Sequence, residues 1–225
     1  MKKFILTLLL GAIFGGAAFG TTLADSSVGV GFSASTFETS RGLAVREDSL
    51  GYSLNLTAPV SGGDLSFGVG LYDIDGDSED SDYSISYTRG IELFGQKLGA
   101  KASFSGLDST FGDRDEIAVG LLYKYSIVDA ELAVWHDFDN DWYGVEIGAS
   151  TSVETPISNL TVTPFVTLNL VDEYTAIEAG LKASYPITDQ ISTSLKASYN
   201  NNDFDGSSFE VEDEWIIGAG IGYKF

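Results

Sequence analysis

The chain has no cysteine, a single histidine and only four prolines in 225 residues. Without cysteine there is no disulfide framework. Basic residues are also scarce: 12 Lys and Arg stand against 33 Asp and Glu, which gives a formal net charge of −21. So acidic a chain does not bind nucleic acid or an anionic membrane surface through charge, and it attracts cations instead. After the N-terminus, no segment approaches the ~20 apolar residues of a membrane-spanning helix.

The N-terminal segment MKKFILTLLLGAIFGGAAFG has the order of a secretory signal peptide. Two lysines precede an apolar run from Phe4 to Phe19, and Ala18 and Gly20 have the spacing of a cleavage site. We therefore expect a signal peptide over residues 1–20, cut after Gly20 or after Ala24. The alternative, a membrane anchor, requires a longer run and stop-transfer charges. Residues 26–225 are predicted to form one all-β domain.

Most of this domain alternates with a period of two. In the stretch EIAVGLLYKYSI, bulky apolar side chains occupy every second position from Ile117 to Ile127, and the positions between them are mostly small or polar. The segment from Trp215 to Phe225 repeats the pattern. A soluble β-sandwich shows a charged face to water, whereas a membrane barrel turns its apolar face to lipid and lines its lumen with the polar face. The pattern predicts an all-β, antiparallel up-and-down transmembrane β-barrel.

About twelve such segments are present, with ten as the alternative, and each has about the 9–11 residues that a tilted membrane strand needs. Short turns alternate with longer acidic loops, as in outer-membrane barrels. Pro164 lies inside the ninth segment, where we expect a local bulge because proline donates no ladder hydrogen bond. The segments begin near Val28, Leu50, Asp64, Tyr83, Leu98, Glu116, Ala130, Trp142, Leu160, Tyr174, Ile191 and Glu214.

Aromatic residues recur at both ends of these segments. Tyr83, Trp142, Tyr174 and Trp215 each follow an acidic residue at the start of a segment that runs inward from the outer loops. Tyr125, Tyr185 and Phe225 occupy the opposite ends. The shared position favours two aromatic girdles at the membrane interfaces, and the alternative is ordinary strand aromatics.

The terminal IGYKF, with Tyr223 and Phe225, resembles the last strand of Gram-negative outer-membrane β-barrel proteins, here of a porin-like, uncharacterised family. The resemblance implies export through the periplasm, an outer-membrane location, and contact with outer-membrane lipids and lipopolysaccharide. It also implies that the barrel assembly machinery reads Tyr223 and Phe225 as the assembly signal. Arg41 and Gly42, in TSRGL, are similar to an Arg-Gly pair near the first outer loop of some such barrels, and this pair implies no activity.

The loop DIDGDSEDSD offers carboxylates to a hard cation such as calcium or magnesium. The EF-hand pattern fails because serines stand at positions 78 and 84. Weak divalent binding by Asp73, Asp75, Asp77 and Asp80, beside lipopolysaccharide phosphates, is one interpretation. A solvated, self-repelling loop is the other. No cofactor is expected.

His136 is the natural candidate for a catalytic residue, because some outer-membrane hydrolases pair histidine with serine or aspartate. A strand places His136 and Asp137 on opposite faces, and no serine lies two residues away. An interfacial histidine is the simpler interpretation, so no catalytic residue is assigned and no enzyme is expected.

Charged residues on the small-residue face are predicted to line the lumen. A tight turn would place Lys124 opposite Glu131, and another would place Glu178 opposite Lys196. Twelve strands give a barrel about 24 Å across, which side chains then narrow. We expect a narrow, cation-preferring channel for small solutes or cations. The alternatives are a closed structural or surface-interaction barrel and an outer-membrane enzyme. The predicted lumen charges are Lys101, Lys124, Glu131, Glu146, Glu178, Lys182 and Lys196.

Overall fold

The structure is a computed structural model that describes residues 27–41, 43–74, 78–109, 113–157, 159–203 and 214–225. The side chains of 36–40, 43–48, 73–74 and 78–79 are outside this description. The predicted signal peptide also lies outside it. No helix in the described ranges is long and apolar enough to cross a membrane.

The described residues form a closed antiparallel barrel of 12 strands, as the alternation predicts. Each strand pairs with its neighbours in the chain, and the last strand, β13, pairs with β1 to close the sheet. The two-residue strand β9 continues the pairing of the β8 segment with β10. The bounds are β1 Ser27–Ser40, β2 Leu43–Val60, β3 Gly63–Ile74, β4 Ser78–Leu93, β5 Gln96–Asp108, β6 Arg114–Tyr125, β7 Val128–Asp137, β8 Trp142–Thr151, β9 Val153–Glu154, β10 Thr161–Val171, β11 Thr175–Pro186, β12 Ile191–Asn202 and β13 Glu214–Lys224.

Tight turns join the strands at one end of the barrel. Ser61 and Gly62 have φ of 52° and 78°, and Phe94 and Gly95 have φ of 52° and 74°. Two consecutive residues in this left-handed region match the right-handed twist of the flanking strands, which favours a two-residue hairpin. This end is the one that we predict to face the periplasm.

The two faces of the sheet differ as the sequence predicts. Small or polar residues pair with one another on the inner face, for example Ser33 with Gly51 and Ser53 with Gly70. The outer face carries apolar side chains that the described residues leave exposed. Those exposed by more than two fifths of their surface include Leu54, Val69, Val119, Leu132, Val134, Leu181, Leu195 and Ile217. A band of this kind around a closed barrel fits a lipid surrounding.

The expectation at Pro164 is wrong in its detail. The pairing of β10 with β8 stops at Phe165 and resumes with β9 at Val162. The register is the same on both sides, since three residues separate the pairs Phe165–Ser150 and Val162–Val153 on each strand. On its other side, Pro164 pairs with Leu181 without interruption. Proline therefore interrupts one ladder, and no extra residue is inserted.

The predicted outer girdle is correct for Tyr83 and Trp215, which are exposed on the outer face. It is wrong for Trp142 and Tyr174. Trp142 pairs with the buried Asp137 and so belongs to the inner face. Tyr174 is buried too, and its ring meets that of Trp142 edge to face at 5.8 Å. The shared sequence position predicts an interface, but the parity of β8 and β11 turns these two rings inward.

The candidate pore and the ion-pair cluster at its mouth

The cavities of the lumen include two that are lined by described residues on the inner faces of the strands. One, of about 550 Å³, lies between β5 and β10 and is bordered by Lys124, Asp129 and Glu131. The other, of about 370 Å³, lies between β11–β13, β1 and β3 and is bordered by Lys182 and Lys196. Glycine, alanine and serine leave this space open, while the charged side chains make it polar.

The seven predicted lumen charges all lie on the inner, small-residue face, but two of the predicted pairings need correction. Lys124 pairs with Asp129 in register, and their charged atoms are 3.0 Å apart. The prediction of Glu131 opposite Lys124 is wrong because the turn is Ser126–Ile127, which shifts the register by two residues. Glu131 instead lies 3.7 Å from Lys101.

Glu178 and Lys196 form an ion pair of 2.6 Å, although they are not directly opposite. In register, Glu178 pairs with Asn200, and Lys196 pairs with Lys182. The contact between Glu178 and Lys196 is therefore diagonal and uses the length of the lysine side chain. Ser198 Oγ donates a hydrogen bond of 2.7 Å to the same carboxylate.

The remaining predicted charge, Glu146, belongs to a cluster that the sequence does not reveal. Arg41, at the turn between β1 and β2, donates from Nε to Glu116 Oε2 at 2.9 Å and from a terminal nitrogen to Oε1 of the same carboxylate. Its other terminal nitrogen donates to Glu146 Oε2 at 2.7 Å. Two-point binding of a carboxylate by a guanidinium gives both strength and a fixed geometry.

An inward-facing tryptophan supports these ion pairs. The guanidinium carbons of Arg41 and Arg114 lie 5.2 Å and 5.6 Å from the centre of the Trp135 ring, within cation–π range. Gly144 is directly opposite Trp135 on β8, and an added Cβ there would collide with the indole. Glycine at this position therefore makes room for the ring that Arg41 contacts.

A buried ion pair lies next to the tryptophan. Arg114 Nε donates to Asp137 Oδ2 at 2.8 Å, and the two side chains are only 2% and 0% exposed. Asp137 also accepts hydrogen bonds from the backbone N–H of Asp139 at 2.9 Å and from Asn140 Nδ2 at 2.9 Å. This carboxylate therefore anchors both the buried arginine and the turn that joins β7 to β8.

Arg41 reaches the cluster from the opposite wall. Its partners lie on β6 and β8, and Trp135 lies on β7, which is the sixth strand from β1 in either direction around the barrel. The Tyr174 hydroxyl donates to the Arg41 carbonyl at 3.2 Å and so holds the turn itself. Burial alone would lower the pKa of Arg41, but hydrogen bonds and charges from Glu116 and Glu146 outweigh it and raise that pKa. The guanidinium therefore stays charged.

Sequence reasoning missed most of this cluster. Arg41 and Glu116 are 75 residues apart, and Arg41 and Glu146 are 105 residues apart, so no local pattern links them. The available signal was that Arg41 is one of few bases among the acidic outer loops. Another was that Glu116, Trp135 and Asp137 share the parity of the small-residue face.

Most of the acidic loop that could bind a divalent cation lies outside the described residues. Among the described residues, no group of three or more His, Asp and Glu side chains is placed to hold a metal ion. Asp75 and Asp77 lie outside the described residues, as does the side chain of Asp73. Asp80 is buried at 3% exposure.

His136 lies on the outer face, where its ring stacks on Tyr143 at 4.1 Å. Its Nδ1 is 3.1 Å from the Trp142 carbonyl, and its Nε2 is 3.9 Å from Asp141. Within the described ranges, these polar neighbours do not include a serine hydroxyl. The surroundings are those of an aromatic contact at the rim of the barrel.

No family model and no curated protein sequence matches the chain. Solved structures of similar fold include the NanC porin, with 14% identity, a TM-score of 0.57, and coverage of 88% of this chain and 100% of that one. The KdgM porin has 11% identity, a TM-score of 0.55, and coverage of 88% and 99%. An outer-membrane channel from Pseudomonas putida F1 has 11% identity, a TM-score of 0.55, and coverage of 89% and 95%.

Outer membrane phospholipase A from Escherichia coli is also similar, with 12% identity, a TM-score of 0.50, and coverage of 95% and 97%. The fold therefore occurs in both channels and an enzyme, and identities this low show the fold alone. This chain has the closed 12-strand fold of bacterial outer-membrane porins and channels.

Proposed function

We propose that the protein forms a narrow, polar, cation-preferring channel for small solutes in a bacterial outer membrane. The observation that carries the proposal is the inner face of the closed barrel, which is small and polar and leaves cavities of about 550 Å³ and 370 Å³ in the lumen. Twelve strands exceed the eight whose interior side chains fill, and they fall short of the wide channels of barrels with ~16–18 strands. A narrow aqueous passage fits this intermediate size.

The preference for cations follows from how the lumen bases are paired. The inner-face ion pairs give a carboxylate partner to each of Arg41, Lys101, Arg114, Lys124 and Lys196. These bases are thus largely neutralised, while the chain as a whole carries a net charge of −21. An acidic mouth with neutralised walls raises the local concentration of cations.

The test is the reversal potential of the purified protein in a planar bilayer across a KCl gradient. We expect a potential of cation-selective sign at low salt. The preference should weaken as the Debye length falls from ~10 Å at 0.1 M to ~3 Å at 1 M, because the outer-loop charges are exposed. Anion preference at low salt would mean that the lumen lysines dominate. A complete absence of conductance would favour a closed barrel.

An enzyme remains the weaker candidate. The fold of phospholipase A is similar, but His136 stacks on an outer-face tyrosine, and its described polar neighbours include no hydroxyl nucleophile. An assay of phospholipid release from mixed micelles, with or without calcium, checks this directly. If the native protein hydrolyses phospholipid and a His136 substitution abolishes this activity, the assignment as a channel without catalysis is wrong.

A further inference from the structure

The first outer hairpin leaves the barrel wall. The pairing of β1 with β13 ends at Ser35, and the pairing of β2 with β3 ends at Ser49. Beyond these points, the pairing that the described residues show is between the two strands themselves, as far as Ser40 and Leu43. We call residues 36–41 and 43–48 the arm. The pairing register of the arm shifts between Glu38 and Thr39, and such a bulge bends a hairpin.

The length of the arm matches the width of the barrel. From residue 36 to residue 41, an extended strand covers roughly 17 Å at ~3.3 Å per residue. The barrel is about 24 Å across by the strand number and tilt. The arginine side chain spans the remaining distance, which explains how Arg41 contacts Glu116 and Glu146 on the far wall.

The contacts at the tip hold the arm on three sides. Two carboxylates bind the guanidinium, the Trp135 ring packs against it, and the Tyr174 hydroxyl binds the Arg41 carbonyl. The Arg41 side chain is only 14% exposed, so these bonds are shielded from competing water. A loop that merely covers the surface would not bury its only described charged side chain against the opposite wall.

We propose that Arg41 fastens the arm across the outer mouth of the barrel, and that this bridge determines the size of the solutes that pass. The proposal rests on the proposed channel function. Glu116 and Glu146 are the receiving residues, and Trp135 and Tyr174 position the guanidinium and the turn. The cavity bordered by Lys124 and Asp129 lies beside the tight turn at the other end of the barrel, so a solute that enters from the outer loops would meet the arm first.

Arg41→Gln tests the bridge, because glutamine keeps a polar end group but is shorter and uncharged, so it cannot bind both carboxylates. In liposome-swelling assays with neutral sugars and polyethylene glycols of increasing size, this variant should admit solutes that the native protein excludes. Lys101→Gln is the matched control: it also removes one lumen cation, from the Lys101–Glu131 pair, but it leaves the arm in place. We expect its size limit to stay native.

A covalent tether adds an independent readout. The native chain has no cysteine, so Arg41→Cys with Glu116→Cys provides one unique pair for a short bifunctional maleimide. Cross-linking should be efficient in membranes and should restore the native size limit. Arg41→Cys with Ser194→Cys, which places the second thiol on the β12 wall, should cross-link poorly.

The outcomes separate this proposal from the channel itself. If Arg41→Gln conducts with the native size limit, the wall rather than the arm sets the limit, and the bridge proposal is wrong while the channel stands. Conductance by Arg41→Gln but not by the native protein would support the bridge and show the native state to be closed. If neither protein passes any solute, both proposals fail. Equal cross-linking of the two cysteine pairs would also overturn the bridge.

Discussion

The pair formed by Arg114 and Asp137 should contribute more to stability than any exposed ion pair of the barrel. Asp137→Asn keeps the shape of the side chain and an oxygen for the N–H of Asp139. It leaves the Arg114 guanidinium, 2% exposed, without the charge that receives its Nε at 2.8 Å. Removing one partner of a buried pair costs about 3–5 kcal/mol where the other charge is left uncompensated. Because Glu116 still lies 3.7 Å from the Arg114 guanidinium, we expect a cost near the lower end of that range.

Asp129→Asn on the same strand is the comparison. Its partner Lys124 is 70% exposed and Asp129 is 47% exposed, so water already screens this pair. Such pairs contribute about 0–1 kcal/mol. Urea unfolding in lipid vesicles, followed by tryptophan fluorescence, should therefore show a large fall in midpoint for Asp137→Asn and almost none for Asp129→Asn. Adding Arg114→Met to Asp137→Asn should recover part of the loss, because it removes a buried charge that has lost its nearest carboxylate.

Equal midpoints for Asp137→Asn and Asp129→Asn would refute the argument from burial. A double variant less stable than Asp137→Asn alone would show that the other contacts of Arg114, with Glu116 and Trp135, outweigh the cost of burying its charge. The comparison of midpoints requires that Trp135 keeps its position in the folded variants. The amplitude of the fluorescence change on unfolding reports whether it does.

Other regions give further expected outcomes. The native barrel should migrate faster on SDS gels before boiling than after, because a closed sheet has no free edge from which to unravel. Leu181→Lys, on the outer face, should cost ~2–4 kcal/mol in vesicles, whereas Lys182→Leu in the lumen should cost far less. Deleting Phe225 removes one backbone bond to Val28 of 2.9 Å, worth about 1 kcal/mol, so surface levels should fall much more than the stability of folded protein. Gly144→Ala should displace Trp135 and change its acrylamide quenching; unchanged quenching would contradict the close contact.

The fold could be predicted because a barrel wall is governed by local rules. Alternation with period two assigns each residue to lipid or lumen, and turn chemistry marks where a strand ends. Nearly all predicted segment starts agree with the strand bounds within a few residues. The main misses are β2 and β4, which begin at Leu43 and Ser78 rather than near Leu50 and Tyr83. Their outer portions extend into the acidic loops, where the apolar alternation that marks a membrane strand is absent.

The arm and its ion pairs follow a different rule, which explains why alternation predicts Glu146 in the lumen but not its partner. The alternation along a strand and the pairing register define which residues are neighbours within the sheet. Contacts across the lumen depend instead on which hairpin extends away from its own wall. Here the described pairing of β1 with β13 ends at Ser35 and that of β2 with β3 ends at Ser49, and the turn between β1 and β2 places Arg41 against carboxylates on the opposite wall. The chain has 12 bases and 33 acids. An arginine at such a tip therefore has many more carboxylates than bases available as neighbours. The two carboxylates it meets lie on an inner face whose small residues leave the lumen wide enough for the arm to enter. The small inner-face residues that open the pore thus also leave room for the arm that carries Arg41 across it.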